Sequence, residues 1–329
     1  MEPGLTQAVR IHEYGPPSNL VYEQVPDPEP AAGEVVVELR AVGVNRRDTA
    51  VRRGAYGDFP LPLTPGSEGA GIRRDTGEEV VIHPGLRWGD REETSGPEFG
   101  ILGGPEDGTY AELVKIPAEN VYPKPAQLSW EEAATLAVAG LTAYRALFTR
   151  ASLSQGETAL ILGAGSGVAT FAVPLATQAG ARVLVTSSSA EKIERARGLG
   201  AAGGVDYTDG DWPEAVRELA GGGVDVVLDS VGTTWNDSLR CLRPGGRAVV
   251  MGATGGGQSE LDVRPFYLRH LSLLGTTLGS PRDFERFLET VSKATWRPII
   301  DSVRPLAEAA AAHERMEAGE HFGKLVLAV

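Results

Sequence analysis

Short stretches of alternating apolar and polar residues dominate the first third of the chain: "AVRIHEY" (8–14), "EVVVELRAVGV" (34–44), "EEVVIHPG" (78–85) and "YAELVKIP" (110–117). With Pro and Gly between them, they predict half-buried strands in a β-rich domain. At "LSWEEAATLAVAGLTAYRALF" (128–148) the period becomes helical, and Ser129 with Glu132 forms an S-x-x-E capping box at its start. Strand-like and helical stretches then alternate: "TALILG", "VATFAVPLATQAG", "RVLVTS", "AEKIERARGLG", "DWPEAVRELA", "VDVVLDSV", "TWNDSLRCL", "RAVVMG" and "LSLLGTTL". These strands are Val- and Leu-rich without polar alternation, which predicts burial on both faces in a doubly wound parallel sheet covered by helices. The tail, "PIIDSVRPL", "AEAAAAHERMEAG" and "KLVLAV", reads as strand, helix, strand. The expected division is a β-rich domain over 1–125 completed by 297–329, and an α/β domain over 126–296.

Length agrees with two domains, since 329 residues exceed the roughly 150 typical of one. Apolar (42%) and charged (23%) contents are those of an ordinary soluble protein, which argues against disorder. With 31 Lys and Arg against 44 Asp and Glu, the net charge is −13, and no basic run could track a phosphate backbone. Nucleic acid is therefore not an expected partner. Residues 158–181 run for 24 positions without a charge, long enough to span a bilayer. "GAGSG" and Pro174 interrupt that run, so a strand, a glycine turn and a short helix are expected instead, with no membrane partner. The N-terminus lacks a basic region followed by an apolar core, and a cytoplasmic location is expected. A single cysteine, Cys241, excludes internal disulfides and an all-cysteine zinc site.

The chemistry-bearing signal is "LILGAGSGVATFA", which sets Gly163, Ala164, Gly165, Ser166, Gly167 and Val168 between a buried strand and a helix. Glycines there let the backbone turn sharply and approach a pyrophosphate, whose charge rests on the helix N-terminus. A site for NAD needs an acid about 20 residues further on, to bind the adenosine ribose. Here the next strand ends "VTSSSAEK", with Thr186, Ser187, Ser188 and Ser189 as hydroxyl donors and Lys192 and Arg195 as cations. That set suits a 2′-phosphate, so NADP(H) is the expected coenzyme. The serines also suit the cap of a helix starting near Ala190.

"GVNRRDTAVRRGAYG" (43–57), "PGSEGAG" (65–71), "AGLTAYRALF" (139–148), the glycine loop and "GKLVL" (323–327) occur in the order found in the medium-chain dehydrogenase/reductase family, which the chain resembles over almost its whole length. The resemblance is to its quinone oxidoreductase and zinc-binding-dehydrogenase-like branches. It implies a GroES-like catalytic domain followed by a Rossmann coenzyme domain. Zinc-dependent relatives carry ligands where this chain has Asn45, Ser67 and a residue near Val138, and four cysteines in the lobe equivalent to "PGLRWGDREETSGPEFG". None of these replacements is a zinc ligand, so no metal is expected. Asp48 and Glu68 then resemble residues that support such a site. Glu68 is either a catalytic base or, preferentially, a buried carboxylate paired with an arginine or backbone amide, with Ser67 a small polar filler.

The resemblance also implies site residues. Asn45 would lie by the nicotinamide ribose or the substrate oxygen, Thr142 by the nicotinamide, Tyr207 by the adenosine phosphate and Lys324 by the pyrophosphate. Val231, Gly252 and Ala253 complete the coenzyme set. Tyr56 matches a catalytic tyrosine of the enoyl reductase branch and is either a proton donor or a pocket wall. Hydride transfer without a metal suits a quinone or an α,β-unsaturated carbonyl, because the charge spreads over a conjugated oxygen. An alcohol dehydrogenase-like enzyme and a crystallin-like coenzyme binder are the alternatives. The five histidines, His12, His83, His270, His313 and His321, show no ligand spacing and are expected to be structural. The strand "LSLLGTTL" would leave an apolar sheet edge exposed, so a homodimer joined there is expected.

Overall fold

The computed structural model describes residues 4–329 and divides into two compact units, Met1–Leu141 with Gly279–Val329, and Thr142–Leu278. The borders at 141/142 and 278/279 differ from the 125/126 and 296/297 expected above. A helical period begins at Ser129, but packing assigns the segment to the first unit: Val138 N donates to Glu68 Oε2 at 2.7 Å. The helix Pro281–Ser292, not anticipated from the sequence, also belongs to the first unit. Its Phe284 ring packs 5.3 Å from His83, and its Val291 carbonyl accepts from Gln127 Nε2 at 3.0 Å. A change of period marks a new element, whereas a domain border is a change of packing partner.

The first unit is built on a seven-stranded sheet around the strand Glu34–Val44. That strand pairs antiparallel with Glu68–Arg73, Leu113–Pro117 and the C-terminal Lys324–Ala328, so the tail does return to this unit. Alternation buries Val35, Val37 and Leu39 against Tyr110, Ile116, Leu325 and Leu327. Register places Gly43 opposite Glu68 and Val44 opposite Leu325, which brings residues 45, 68 and 324 to one end of the sheet. Gly43 is required there, since a Cβ would lie 2.4 Å from Glu68 Oε1 and 2.8 Å from the Ala134 carbonyl. The predicted capping box forms: Glu132 N donates to Ser129 Oγ at 3.2 Å and Ser129 N to Glu132 Oε2 at 2.9 Å. Beyond Trp130–Ala133 the backbone widens into a π turn at Leu136–Gly140. Such turns free a backbone N–H from the regular ladder, and Val138 gives its N–H to Glu68.

The second unit is a six-stranded, wholly parallel sheet in the order Gly203–Asp206, Arg182–Ser187, Thr158–Ile161, Val224–Asp229, Leu242–Val250, Ser272–Gly275. The order reverses between the strands Thr158–Ile161 and Val224–Asp229, the switch point where doubly wound sheets bind ligands. Ala159, Leu160, Val183, Leu184, Val226 and Val227 are buried, as the unbroken apolar runs require. Pro174 does not end its helix: Gly167–Gln178 continues through it. Ser272–Gly275 is the outermost strand of its sheet. Among the described residues no helix is long and apolar enough to cross a membrane.

Candidate active site

In the second unit the strand Thr158–Ile161 is followed by Leu162, and the chain turns through Gly163 to Gly165 into the helix Gly167–Gln178. Gly163 has φ +74°, and a Cβ there would meet nothing within 4 Å, so the glycine serves conformation and leaves an open approach. Ser166 caps the helix by accepting from Ala169 N at 3.1 Å. Ala164 N donates to the Thr186 carbonyl at 2.8 Å and Gly163 N to Thr186 Oγ1 at 3.3 Å, which ties the loop to the next strand end. Val168 stands in the first turn of the helix. This strand, turn and N-terminus fit a dinucleotide's pyrophosphate.

At that next strand end, Ser187 is buried and its Oγ accepts from Ser189 N at 3.1 Å, while Ser188 is exposed. Ser189 caps the helix Ala190–Gly198 by accepting from Lys192 N at 3.3 Å. Tyr207, an exposed ring, is anchored by its own N–H to the Ser187 carbonyl at 3.2 Å. Val231, Gly252 and Ala253 lie on two loops that clasp each other: Gly255 N donates to the Val231 carbonyl at 2.8 Å and Thr254 N to the Ser230 carbonyl at 3.2 Å. Asp229, not singled out from the sequence, organises this pair. Its buried carboxylate accepts from Val231 N (2.8 Å), Gly232 N (3.1 Å), Thr234 Oγ1 (3.1 Å) and Ser238 Oγ (2.8 Å). An acid ending the apolar run "VDVVLD" was the available signal. Thr142, buried, is the first residue of this unit.

In the first unit Glu68 is wholly buried, with three donors: Lys324 Nζ at 2.8 Å and Asn45 Nδ2 at 2.9 Å on Oε1, and Val138 N at 2.7 Å on Oε2. The backbone-amide partner is as expected, but the cation is a lysine and not an arginine. Lys324, which the resemblance implies at the pyrophosphate, is held here by Glu68, Asn45 and Val44. It is buried, and its three hydrogens go to Glu68, Asn45 Oδ1 at 2.6 Å and the Val44 carbonyl at 3.0 Å. An ammonium has three donors, so none remains for a phosphate.

A second network adjoins the first. Asp48, buried, accepts from Asn45 N at 2.8 Å, Ser67 Oγ at 3.0 Å and the Tyr110 hydroxyl at 3.4 Å. Burial pushes its pKa up to about 6, against the lowering effects of Arg47, Asn45 N, Ser67 and Lys324. The Tyr110 hydroxyl lies 3.0 Å from His313 Nε2, and burial raises the tyrosine well above its ordinary value. Burial, then the nearby Arg52 cation, holds His313 down to about 3. Ser67 is more than a filler, since its Oγ also accepts from Arg47 Nη1 at 2.9 Å. The same guanidinium donates to the carbonyls of Leu102, Ile101 and Gly104 at 3.0, 3.1 and 2.9 Å, and sits 4.7 Å from the centre of the Tyr56 ring. Tyr56 itself is 48% exposed. Arg47 was not singled out from the sequence, where it reads as one of several surface arginines in "NRRDTAVRR".

Among the described residues no group of three or more His, Cys, Asp or Glu could hold a metal ion. Asn45 and Ser67 spend their side chains on Lys324, Glu68, Asp48 and Arg47, and Val138 contributes only a backbone N–H that is already used. Those three positions do not fit zinc. Cys241 is buried, and desolvation raises its thiol pKa, so it is not a nucleophile.

Residues 31–126 match the alcohol dehydrogenase GroES-like domain family and residues 167–293 the zinc-binding dehydrogenase family. The chain is 32% identical to the quinone oxidoreductase of Mus musculus, with 98% of each chain covered. It is 33% identical to a zinc-type alcohol dehydrogenase-like protein of Schizosaccharomyces pombe, covering 90% of this chain and 91% of that one. A crystal structure of an NAD-dependent alcohol dehydrogenase superposes with a TM-score of 0.91 at 36% identity, covering 98% of this chain and 99% of that chain.

Proposed function

Since this chain belongs to the medium-chain dehydrogenase/reductase superfamily of nicotinamide-dependent oxidoreductases, we propose that it reduces quinones or α,β-unsaturated carbonyl compounds with NADPH and without a metal. The observation that carries this reading is the chemistry at Asn45 and Ser67. In place of ligands around a dication stand two side-chain cations, Lys324 and Arg47, bonded to those same residues. Charge that a metal would supply to a single alkoxide oxygen is absent from this donor set. Conjugate addition asks for less, because the negative charge spreads over an enolate or, for a quinone, a phenolate-like product.

The coenzyme, when bound, supplies hydride. The chain's residues do the rest: the glycine loop seats the pyrophosphate on a helix N-terminus, and Asp229 holds the paired loops that carry Val231, Gly252 and Ala253. Asn45 offers a carboxamide N–H, and Tyr56 a phenol, to the oxygen on which charge develops. Ser187, Ser188 and Lys192 support a 2′-phosphate, and no acid ends that strand. Screening NADPH oxidation across quinones, enals and enoyl thioesters tests the substrate class. With deuterated NADPH and an enone, deuterium should appear on the β-carbon with the C=O intact. Deuterium on the carbinol carbon of an allylic alcohol, or about one zinc per chain by elemental analysis after dialysis, would overturn the reading.

A further inference from the structure

A carboxamide presents an acceptor at one end and donors at the other, and a half-turn about its last bond exchanges them. At Asn45 the structure removes that ambiguity. Lys324 Nζ lies 2.6 Å from Oδ1, and Glu68 Oε1 accepts from Nδ2 at 2.9 Å. An ammonium only donates and a carboxylate only accepts, so the flipped amide would set donor against donor and acceptor against acceptor. The two charges are themselves fixed: Lys324 donates to Glu68 at 2.8 Å and to the Val44 carbonyl at 3.0 Å, and Glu68 Oε2 takes Val138 N at 2.7 Å. All three side chains are buried.

We propose that Lys324 and Glu68 are positioning residues that select the one orientation of Asn45 whose second N–H can donate to the substrate oxygen. The inference rests on the function proposed above. One Nδ2 hydrogen goes to Glu68, and the other has no partner among the described residues. In the reversed orientation Oδ1 would face the developing anion and repel it. Lys324 has no hydrogen left for a substrate and acts only through Asn45. A purely packing role does not call for this arrangement, because a buried ion pair is a weak source of stability compared with apolar groups of the same volume.

The test pairs kinetics with a substrate-free readout. In Glu68→Gln/Lys324→Gln both charges go and near-isosteric amides remain, so no lone charge is left buried and either orientation of Asn45 can be satisfied. With 1,4-naphthoquinone and 2-hexenal as probes, kcat should fall at least about tenfold, short of the roughly 10²- to 10³-fold cost of deleting an oxyanion donor. KM and the Kd for NADPH should stay within about threefold, as expected for an interaction made in the transition state. Independently, the wild-type Asn45 side-chain amide, assigned by its loss in Asn45→Ala, should give two distinct, exchange-protected proton signals by NMR. In the double variant they should move toward free-amide positions. Unchanged kcat, or unchanged amide signals in the variant, overturns the proposal, as do wild-type Asn45 amide protons at free-amide positions without exchange protection. If the wild type turns over neither probe, the substrate reading fails, and the amide spectra alone decide the orientation.

Discussion

Acid should destabilise the first unit through His83. The ring is buried 5.3 Å from Phe284, its Nε2 donates to the Gly279 carbonyl at 3.1 Å, and its Nδ1 faces Asn120 Nδ2 at 3.4 Å. A second ring proton would therefore point at a donor. Burial lowers the pKa from 6.5 to about 4, although the Gly279 and Gly85 carbonyls and Asp283 pull the other way. Between those values the unfolded chain holds the proton and the folded chain does not. Stability is thus unaffected by this group above pH 6.5, falls as pH drops through the window, and stops falling below about 4. At 1.36 kcal/mol per unit, the full window of 2.5 units is worth about 3 kcal/mol. The part between pH 7.5 and 5.0 is (6.5 − 5.0) × 1.36, about 2 kcal/mol. His83→Gln keeps an amide donor for Gly279 but has no proton to gain. It should cost about 1–3 kcal/mol at pH 7.5 through lost ring packing. Its further loss on going to pH 5.0 should be smaller than the wild type's by about 2 kcal/mol. His313, in the same sense, and Asp48, in the opposite sense, act in both proteins and cancel in the difference. Urea unfolding at the two pH values, followed by tryptophan fluorescence, gives the comparison. Equal pH dependence, or a His83 ring-proton NMR midpoint at 6 or above, would refute the reasoning.

Three further outcomes are expected. Lys192→Ala should weaken NADPH binding about tenfold by fluorescence titration and leave NADH binding unchanged, since a charge-assisted phosphate contact is lost only for the former. Tyr56→Phe should lower kcat more than it raises KM in steady-state assays; an unchanged rate would return Tyr56 to a wall of the pocket. Light scattering at micromolar concentration should give a dimer mass, and a proline at Leu273, on the outermost strand Ser272–Gly275, should shift it toward monomer by removing a backbone donor.

The sequence by itself determined what depends on local pattern. Alternation at 34–44 and 110–117, unbroken apolar runs at 158–161 and 224–229, the Ser129 capping box and the Gly163 turn all follow from periodicities and backbone preferences that act over a few residues. The order of motifs then identified the family, and the loss of ligand-type side chains at 45 and 67 was plain from residue identity alone. Tertiary structure decided the rest. The domain borders depend on which unit buries a helix, and "SPRDFERFLETVS" carries no mark of the partner it packs against. Lys324 and Glu68 are 256 residues apart in sequence, and only the antiparallel register that sets Val44 beside Leu325, and Gly43 beside Glu68, makes them an ion pair on Asn45. Arg47 was equally hidden, and Asp229 showed only as an acid ending an apolar run. A charged residue's role is set by what surrounds its head group, and those neighbours come from strands and loops that the linear chain keeps apart.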